Sequence, residues 1–149
     1  MHEAMAESIA VYFATATSKQ IAALLDTIGK PAMGEPPQAT WVYPRDGEHD
    51  VLIYEHGSFS DYEDTEVRRI KEAFDGKLPV SAYIIELRRS KGSAAFDTAE
   101  RLVKFLLERF RGLVDELCGD HQLWSLKEIE TGARRGRFGF LDVYRQRLI

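Results

Sequence analysis

Apolar residues along this chain recur at two spacings, and the switches between them mark out a mixed strand-and-helix protein. The clearest stretch runs from Pro79 to Ile129. Residues 79–87 are rich in β-branched and aromatic types and predict a buried strand, with Pro79 at the first position, where its missing N–H does least harm. Ser93 is the expected cap of a helix whose apolar residues fall at Phe96, Ala99, Leu102, Val103, Leu106, Leu107 and Phe110. That spacing of three and four is one helical face, and Gly112 is the expected stop.

Earlier in the chain, residues 8–14 predict a first strand, and Thr17 with Gln20 three residues on has the form of a capping box. The helix it opens carries Ile21, Leu24, Leu25 and Ile28 on one side and stops at Gly29. Residues 30–38 hold three prolines and a glycine and predict a loop. Residues 39–43 and 50–55 predict two strands joined by a turn at Pro44-Arg45-Asp46-Gly47. Ser60 with Glu63 predicts a second capping box, opening a helix with Val67, Ile70 and Phe74 inward and an end at Gly76.

After Gly112, residues 113–117 and 122–124 predict two short strands turned at Gly119-Asp120. Ser125 with Glu128 predicts a further capped helical turn containing Ile129. In the tail, Phe138, Phe140, Leu141, Val143 and Tyr144 suit either an alternating strand or a short helix, and residues 130–149 can be read as a loosely attached extension. The strand-helix order lacks the regular alternation of a doubly wound sheet. It predicts a single α+β domain over residues 1–149, with a mostly antiparallel sheet, helices on one face and a ferredoxin-like plan.

A chain of 149 residues suits one domain, and at this size folding buries roughly 68–70% of the unfolded surface. Net charge is −4 and the sequence pI is near 5.6, which argues against general nucleic-acid binding. The single Cys118 forms no internal disulfide and reads as a structural thiol in a reducing compartment. No apolar run reaches the ~18–20 residues of a membrane span. The first seven residues lack the positive segment of a signal peptide, so the expected chain is cytoplasmic and unprocessed.

Motif chemistry is sparse. His49 and His56 bracket a predicted strand at a separation that points them to opposite faces, while His2 and His121 sit at a terminus and in a turn. Without H-x-x-x-H, H-E-x-x-H or C-x-x-C, neither a metal site nor a cofactor is expected. There is no G-x-S-x-G; Ser58 reads as a turn residue, and Gly132–Gly136 lacks the Lys-Ser/Thr of a phosphate loop.

Two charge clusters stand out. Asp46, Glu48, Asp50, Glu55, Asp61, Glu63, Asp64 and Glu66 follow Arg45 with no lysine or further arginine among them, and Tyr54, Phe59 and Tyr62 lie within the same stretch. The plain reading is a solvated loop plus a helix start whose acids suit the helix dipole. The functional reading is a negative surface with aromatic anchors, offered to a basic partner. The second cluster, Arg134-Arg135-Gly136-Arg137 with Phe138 and Phe140, has the makings of an RNA contact. A solvated connector, or a segment folded back on acids, fits an acidic protein better. Trp124 reads as a core residue rather than a ligand stacker.

The segment Phe110-x-Gly112-Leu113-Val114-Asp115-Glu116, followed by Leu123-Trp124-Ser125-Leu126-Lys127-Glu128-Ile129, resembles small bacterial immunity proteins of polymorphic toxin and contact-dependent inhibition systems. Many of these close a long helix with Phe-x-Gly-Val-Val-x-Asp and continue with Trp-Thr-Leu-x-Glu-Ile. About thirty residues are covered, Ser125 stands where Thr is usual, and the tail beyond Gly132 has no counterpart. The resemblance implies a non-enzymatic protein that neutralises a cognate toxin by direct binding, and it transfers no contact residue.

The partner-binding residues expected from the charge pattern are Asp46, Glu48, Tyr54, Phe59, Asp61, Tyr62, Glu63, Asp64 and Glu66. Two rivals remain open. A ferredoxin-like small-molecule-binding or regulatory module requires a formed pocket, and an enzyme requires a cleft gathering groups such as Glu55, Glu86 and His56.

Overall fold

The computed structural model describes residues 7–32, 40–46, 49–57, 59–88, 91–117 and 122–146. Expectations placed on His2, residues 33–38, Gly47, Glu48, Ser58 and residues 118–121 lie outside these residues.

The chain runs β1 (Glu7–Phe13), α1 (Ser18–Ile28), β2 (Lys30–Pro31), β3 (Thr40–Tyr43), β4 (Val51–Glu55), a 3₁₀ turn (Phe59–Asp61), α2 (Asp64–Ala73), β5 (Ser81–Leu87) and α3 (Ser93–Arg109). It continues with β6 (Gly112–Glu116), β7 (Gln122–Trp124), α4 (Leu126–Thr131), β8 (Arg134–Arg135), β9 (Phe138–Gly139) and α5 (Asp142–Gln146). Seven strands form one antiparallel sheet in the order β2-β3-β4-β5-β1-β6-β7, so the expected α+β domain with an antiparallel sheet is what the chain forms.

β1 lies in the middle, antiparallel to β5 on one side and to β6 on the other. β5 and β6 are therefore parallel to each other across β1, a relation that needs a long crossover, which α3 supplies. The ferredoxin-like plan is not what the sheet follows throughout. It has seven strands, and β4 and β5, which that plan would join by a hairpin, are joined through α2.

Alternation along the strands divides the core in two. Ile9, Val11 and Phe13 of β1, Ile53 of β4 and Tyr83, Ile85 and Leu87 of β5 face α1 and α3, joined by Ile129, Phe140, Leu141 and Tyr144. Ala10, Tyr12, Ala82 and Ile84 face the opposite way and are covered by Ile70 of α2 and by Phe74, its C-terminal cap. Helices thus occupy mainly one face, and α2 departs from that expectation because its own apolar stripe is carried to the other side by the connection from β4.

Several local expectations are met. Gln20 N–H donates to Thr17 Oγ1 at 3.2 Å, and Thr17 N–H to Gln20 Oε1 at 2.8 Å. Ser125 and Glu128 close the same reciprocal pair. The stripe of α3 is buried from Phe96 to Leu107.

Others shift. Glu63, not Ser60, is the cap of α2, because residues 59–61 are taken up by the 3₁₀ turn; its N–H donates to Glu66 Oε1 at 2.9 Å. Gly92 caps α3, and Ser93 is its first helical residue. β5 begins at Ser81, leaving Pro79 and Val80 outside the strand. Gly112 opens β6 instead of ending α3, whose cap is Phe110. The requirement for glycine there is steric: a Cβ on residue 112 would fall 2.2 Å from the Tyr12 carbonyl oxygen.

The tail after Thr131 is a short hairpin and α5. Leu141 and Tyr144 are buried, and the Tyr144 hydroxyl donates to Ser8 O at 2.8 Å, which ties α5 back to β1.

Candidate functional site

Beyond the ends of β4 and β5, on the α2 side, the chain forms an open groove of about 720 Å³. Phe59 of the 3₁₀ turn, Val67 of α2, and Leu78, Pro79 and Val80 of the link into β5 form its apolar walls. Ala82 also lines it, and Glu55, His56 and Ser60 add polar edges. Leu78 and Val80 are the exposed large hydrophobics among the described residues, at 38% and 55%, and both belong to this groove. Exposed apolar residues scattered singly need no explanation, but two gathered in one concavity do.

Local chemistry explains how the groove is held open. His56 N–H donates to Ala82 O at 2.8 Å, which fixes the end of β4 against β5. The His56 ring stacks on Phe59 at 5.5 Å between centroids, and Tyr62 meets both edge-on at 5.3 and 5.2 Å. Phe59 in turn lies 5.7 Å from the buried Tyr12 ring. This aromatic cluster makes the wall a packed extension of the second core.

The acidic stretch is divided by the fold. Glu63 and Asp64 are exposed at the start of α2, and Glu66 is partly buried there, in the segment between Phe59 and Val67 that both line the groove. Asp46 is exposed before β4, whereas the groove follows β4, so a strand of about 17 Å separates them. Glu48 and the side chain of Asp61 lie outside the described residues. Tyr54 and Tyr62 direct their hydroxyls into the protein: Tyr54 donates to Glu86 Oε1 at 2.8 Å, and Tyr62 lies 3.0 Å from the Tyr12 hydroxyl and 3.1 Å from His56 Nε2. Burial, reinforced by the Glu86 carboxylate, pushes the Tyr54 hydroxyl above its ordinary value, so it stays protonated.

Glu55, Glu86 and His56 do not converge. In β4, Glu55 pairs opposite Tyr83 and accepts from Ser18 Oγ at 2.6 Å, on the α1 face. Glu86 pairs opposite Leu52 and serves Tyr54 on the other face. Burial, with Glu55 nearby, pushes Tyr83 up to about 12 while its hydroxyl donates to Ser18 O. His56 has both ring nitrogens engaged within the protein, Nδ1 with Gly57 O at 2.7 Å and Nε2 with Tyr62. As placed, this imidazole offers no free nitrogen to a bound molecule.

The arginine cluster is likewise drawn inward at one position. The Arg135 guanidinium lies 4.4 Å over the Trp124 ring, donates to Leu123 O and pairs with Glu128 at 3.0 Å. Arg134 donates to Arg137 O within the hairpin. Trp124 is buried, as expected of a core residue.

Sequence reasoning missed the groove itself. Its apolar wall comes from Leu78-Pro79-Val80, of which Leu78 precedes the predicted strand and Pro79 and Val80 fall within it. Behind it, Tyr12 packs on Phe59 and bonds Asp115, two residues far apart in sequence that β1–β6 pairing brings near. No helix among the described residues is long and apolar enough to cross a membrane. Comparison with protein-family models, with curated proteins and with solved structures gives no match.

Proposed function

We propose that this chain is a protein-binding module whose groove receives apolar side chains of a basic partner segment. The observation that carries this reading is that Leu78 and Val80, both exposed, face one concavity beside the acidic start of α2. An apolar centre flanked by charge is the anatomy of a docking surface, and the acids Glu63 and Asp64 would steer a positively charged partner toward it. The likeness of the C-terminal third to immunity proteins suggests the class of partner: a bacterial toxin, neutralised by contact rather than by chemistry.

The test is retention of partners from the native host on tagged wild-type protein and on Val80→Asp, with mass spectrometry of the bound fraction. A stoichiometric toxin domain held by the wild type, released in high salt and lost with Val80→Asp is the expected result. A partner held equally by both proteins would remove the groove from the reading.

A second reading has its own support in the groove's size. About 720 Å³ falls within the ~300–1,000 Å³ typical of small-molecule sites, so an apolar ligand carried by a regulatory module is the alternative. Native mass spectrometry of the gently purified protein separates the two, since a bound small molecule adds a discrete mass without a second chain.

A further inference from the structure

Behind the groove wall a line of hydrogen bonds runs into the sheet. The Tyr12 hydroxyl donates to Asp115 Oδ2 at 2.9 Å, and Tyr12 and Tyr62 share a contact of 3.0 Å. Tyr62 meets His56 Nε2 at 3.1 Å, and His56 Nδ1 meets the Gly57 carbonyl at 2.7 Å. Tyr12 and Asp115 are buried, Tyr62 is partly buried, and His56 lines the groove.

Each of these contacts needs one hydrogen. With Asp115 ionised and His56 neutral, the two tyrosines and the imidazole supply one each, three hydrogens for four contacts. The Gly57 carbonyl only accepts, so Nδ1 must carry the imidazole hydrogen. One of the contacts between Nε2 and Asp115 is then left without a donor. A single added proton completes the line in either of two ways. On His56, it makes Nε2 donate to Tyr62, Tyr62 to Tyr12 and Tyr12 to the carboxylate. On Asp115, it reverses every donor in the line and leaves His56 neutral. The two arrangements differ in which end of the line carries the proton and in the direction of the tyrosine O–H bonds between them.

We infer that Asp115 and His56 share one proton across Tyr12 and Tyr62, and that its gain and loss reshape the aromatic wall of the groove. Burial pushes both tyrosine hydroxyls above their ordinary range, so they act as relays that keep their protons. The other charged groups facing the line are Glu66 and Arg69 of α2, which border a small cavity together with Tyr62 and Asp115; Glu55 precedes His56 and also lines the groove, with its carboxylate held by Ser18. Strongly interacting sites lose protons in steps that belong to the pair, not to either residue. Loss of the shared proton leaves a contact at Tyr62 or Tyr12 unmade, and Tyr62 and His56 both pack on Phe59. The inference stands on this geometry whether or not a protein occupies the groove.

The experiment is a pH titration by NMR of wild type and Tyr62→Phe. It follows the His56 ring nitrogens, the Asp115 carboxyl carbon and the methyls of Val67 and Val80. In the wild type, His56 and Asp115 should change with a common midpoint, with the groove methyls moving at the same pH. In Tyr62→Phe the two ends should titrate at separate midpoints. Unequal midpoints in the wild type, groove methyls indifferent to the transition, or a common midpoint that survives Tyr62→Phe would each overturn the inference. The wild-type titration decides by itself if the variant does not fold.

Discussion

The Trp124 indole N–H donates to Glu116 Oε1 at 2.9 Å, deep in the face covered by α3, and the other oxygen of the same carboxylate accepts the Leu141 N–H. One buried side chain therefore joins β6, β7 and the turn before α5. Leu141 sits at φ +68, a conformation unfavourable for a branched side chain, and is held there by this bond and by full burial. Glu116→Ala leaves two buried donors without their acceptor, each costing about 1–3 kcal/mol. The expected loss is about 2–6 kcal/mol by urea denaturation, with α5 the first segment to lose amide exchange protection.

Glu116 also has a pH signature. Burial raises its carboxyl above the ordinary value of 4.5, against the pull of the Leu141 and Trp124 donors. A group raised in the folded state contributes stability that is complete below its unfolded value and is lost as pH rises through the folded one. The stability difference between wild type and Glu116→Gln should therefore be most favourable to the wild type in acid and shrink above pH 4.5. Parallel stability–pH curves for the two proteins would contradict it.

Glu128 carries the opposite sign. Burial pushes it up, but the Ser125 N–H and the Arg135 guanidinium more than offset this and hold it below 4.5. Its contribution is present above 4.5 and disappears as pH falls through the folded value. Glu128→Gln keeps the cap, as Gln20 does for α1, and loses the charge facing Arg135, so it should cost about 0.2–1 kcal/mol at neutral pH, the scale of a surface ion pair, and nothing in strong acid. Thermal denaturation across pH 2–7 checks the convergence of the two curves.

What could be read from the sequence was whatever is local. Thr17 with Gln20 and Ser125 with Glu128 announce their caps because both partners lie within one turn. The stripe from Phe96 to Leu107 announces a helix because its period is complete in the sequence. Ser60 misled because two overlapping signals occur there, and the 3₁₀ turn took the first. The groove was illegible for a different reason: Tyr12, His56, Tyr62, Leu78 and Asp115 come from separate elements, and only strand order places them together. Charge read along the chain also joined Asp46 to Glu63 and Asp64, although β4 sets them apart.

Gly112 owes its identity to Tyr12. The Cβ of an alanine at 112 would lie 2.2 Å from the Tyr12 carbonyl oxygen, and Leu107 stands 3.2 Å away on another side. Withdrawal of either strand is opposed, since β1 is held by β5 as well as β6, and β6 by β7 as well as β1. Gly112→Ala should cost about 3 kcal/mol, the upper range of overpacking. An urea midpoint equal to that of the wild type would show that β6 can shift after all.

Charge reversal separates the two parts of the acidic stretch. Glu63→Lys with Asp64→Lys places positive charge beside the groove and at the N-terminus of α2, where the helix dipole favours anions; the stability cost is about 0.3–1 kcal/mol per charge. Rim charges act chiefly on association, so the double variant should bind a basic partner more slowly and with a flatter dependence on salt. Asp46→Lys changes the net charge in the same sense at the far end of β4, where the groove lies more than a Debye length of ~8 Å away at physiological salt. Stopped-flow or surface-capture kinetics on the retained partner should show a slower on-rate for the α2 variant and little change for Asp46→Lys. Equal slowing per charge at both ends would mean that net charge, and not a surface beside the groove, steers the encounter.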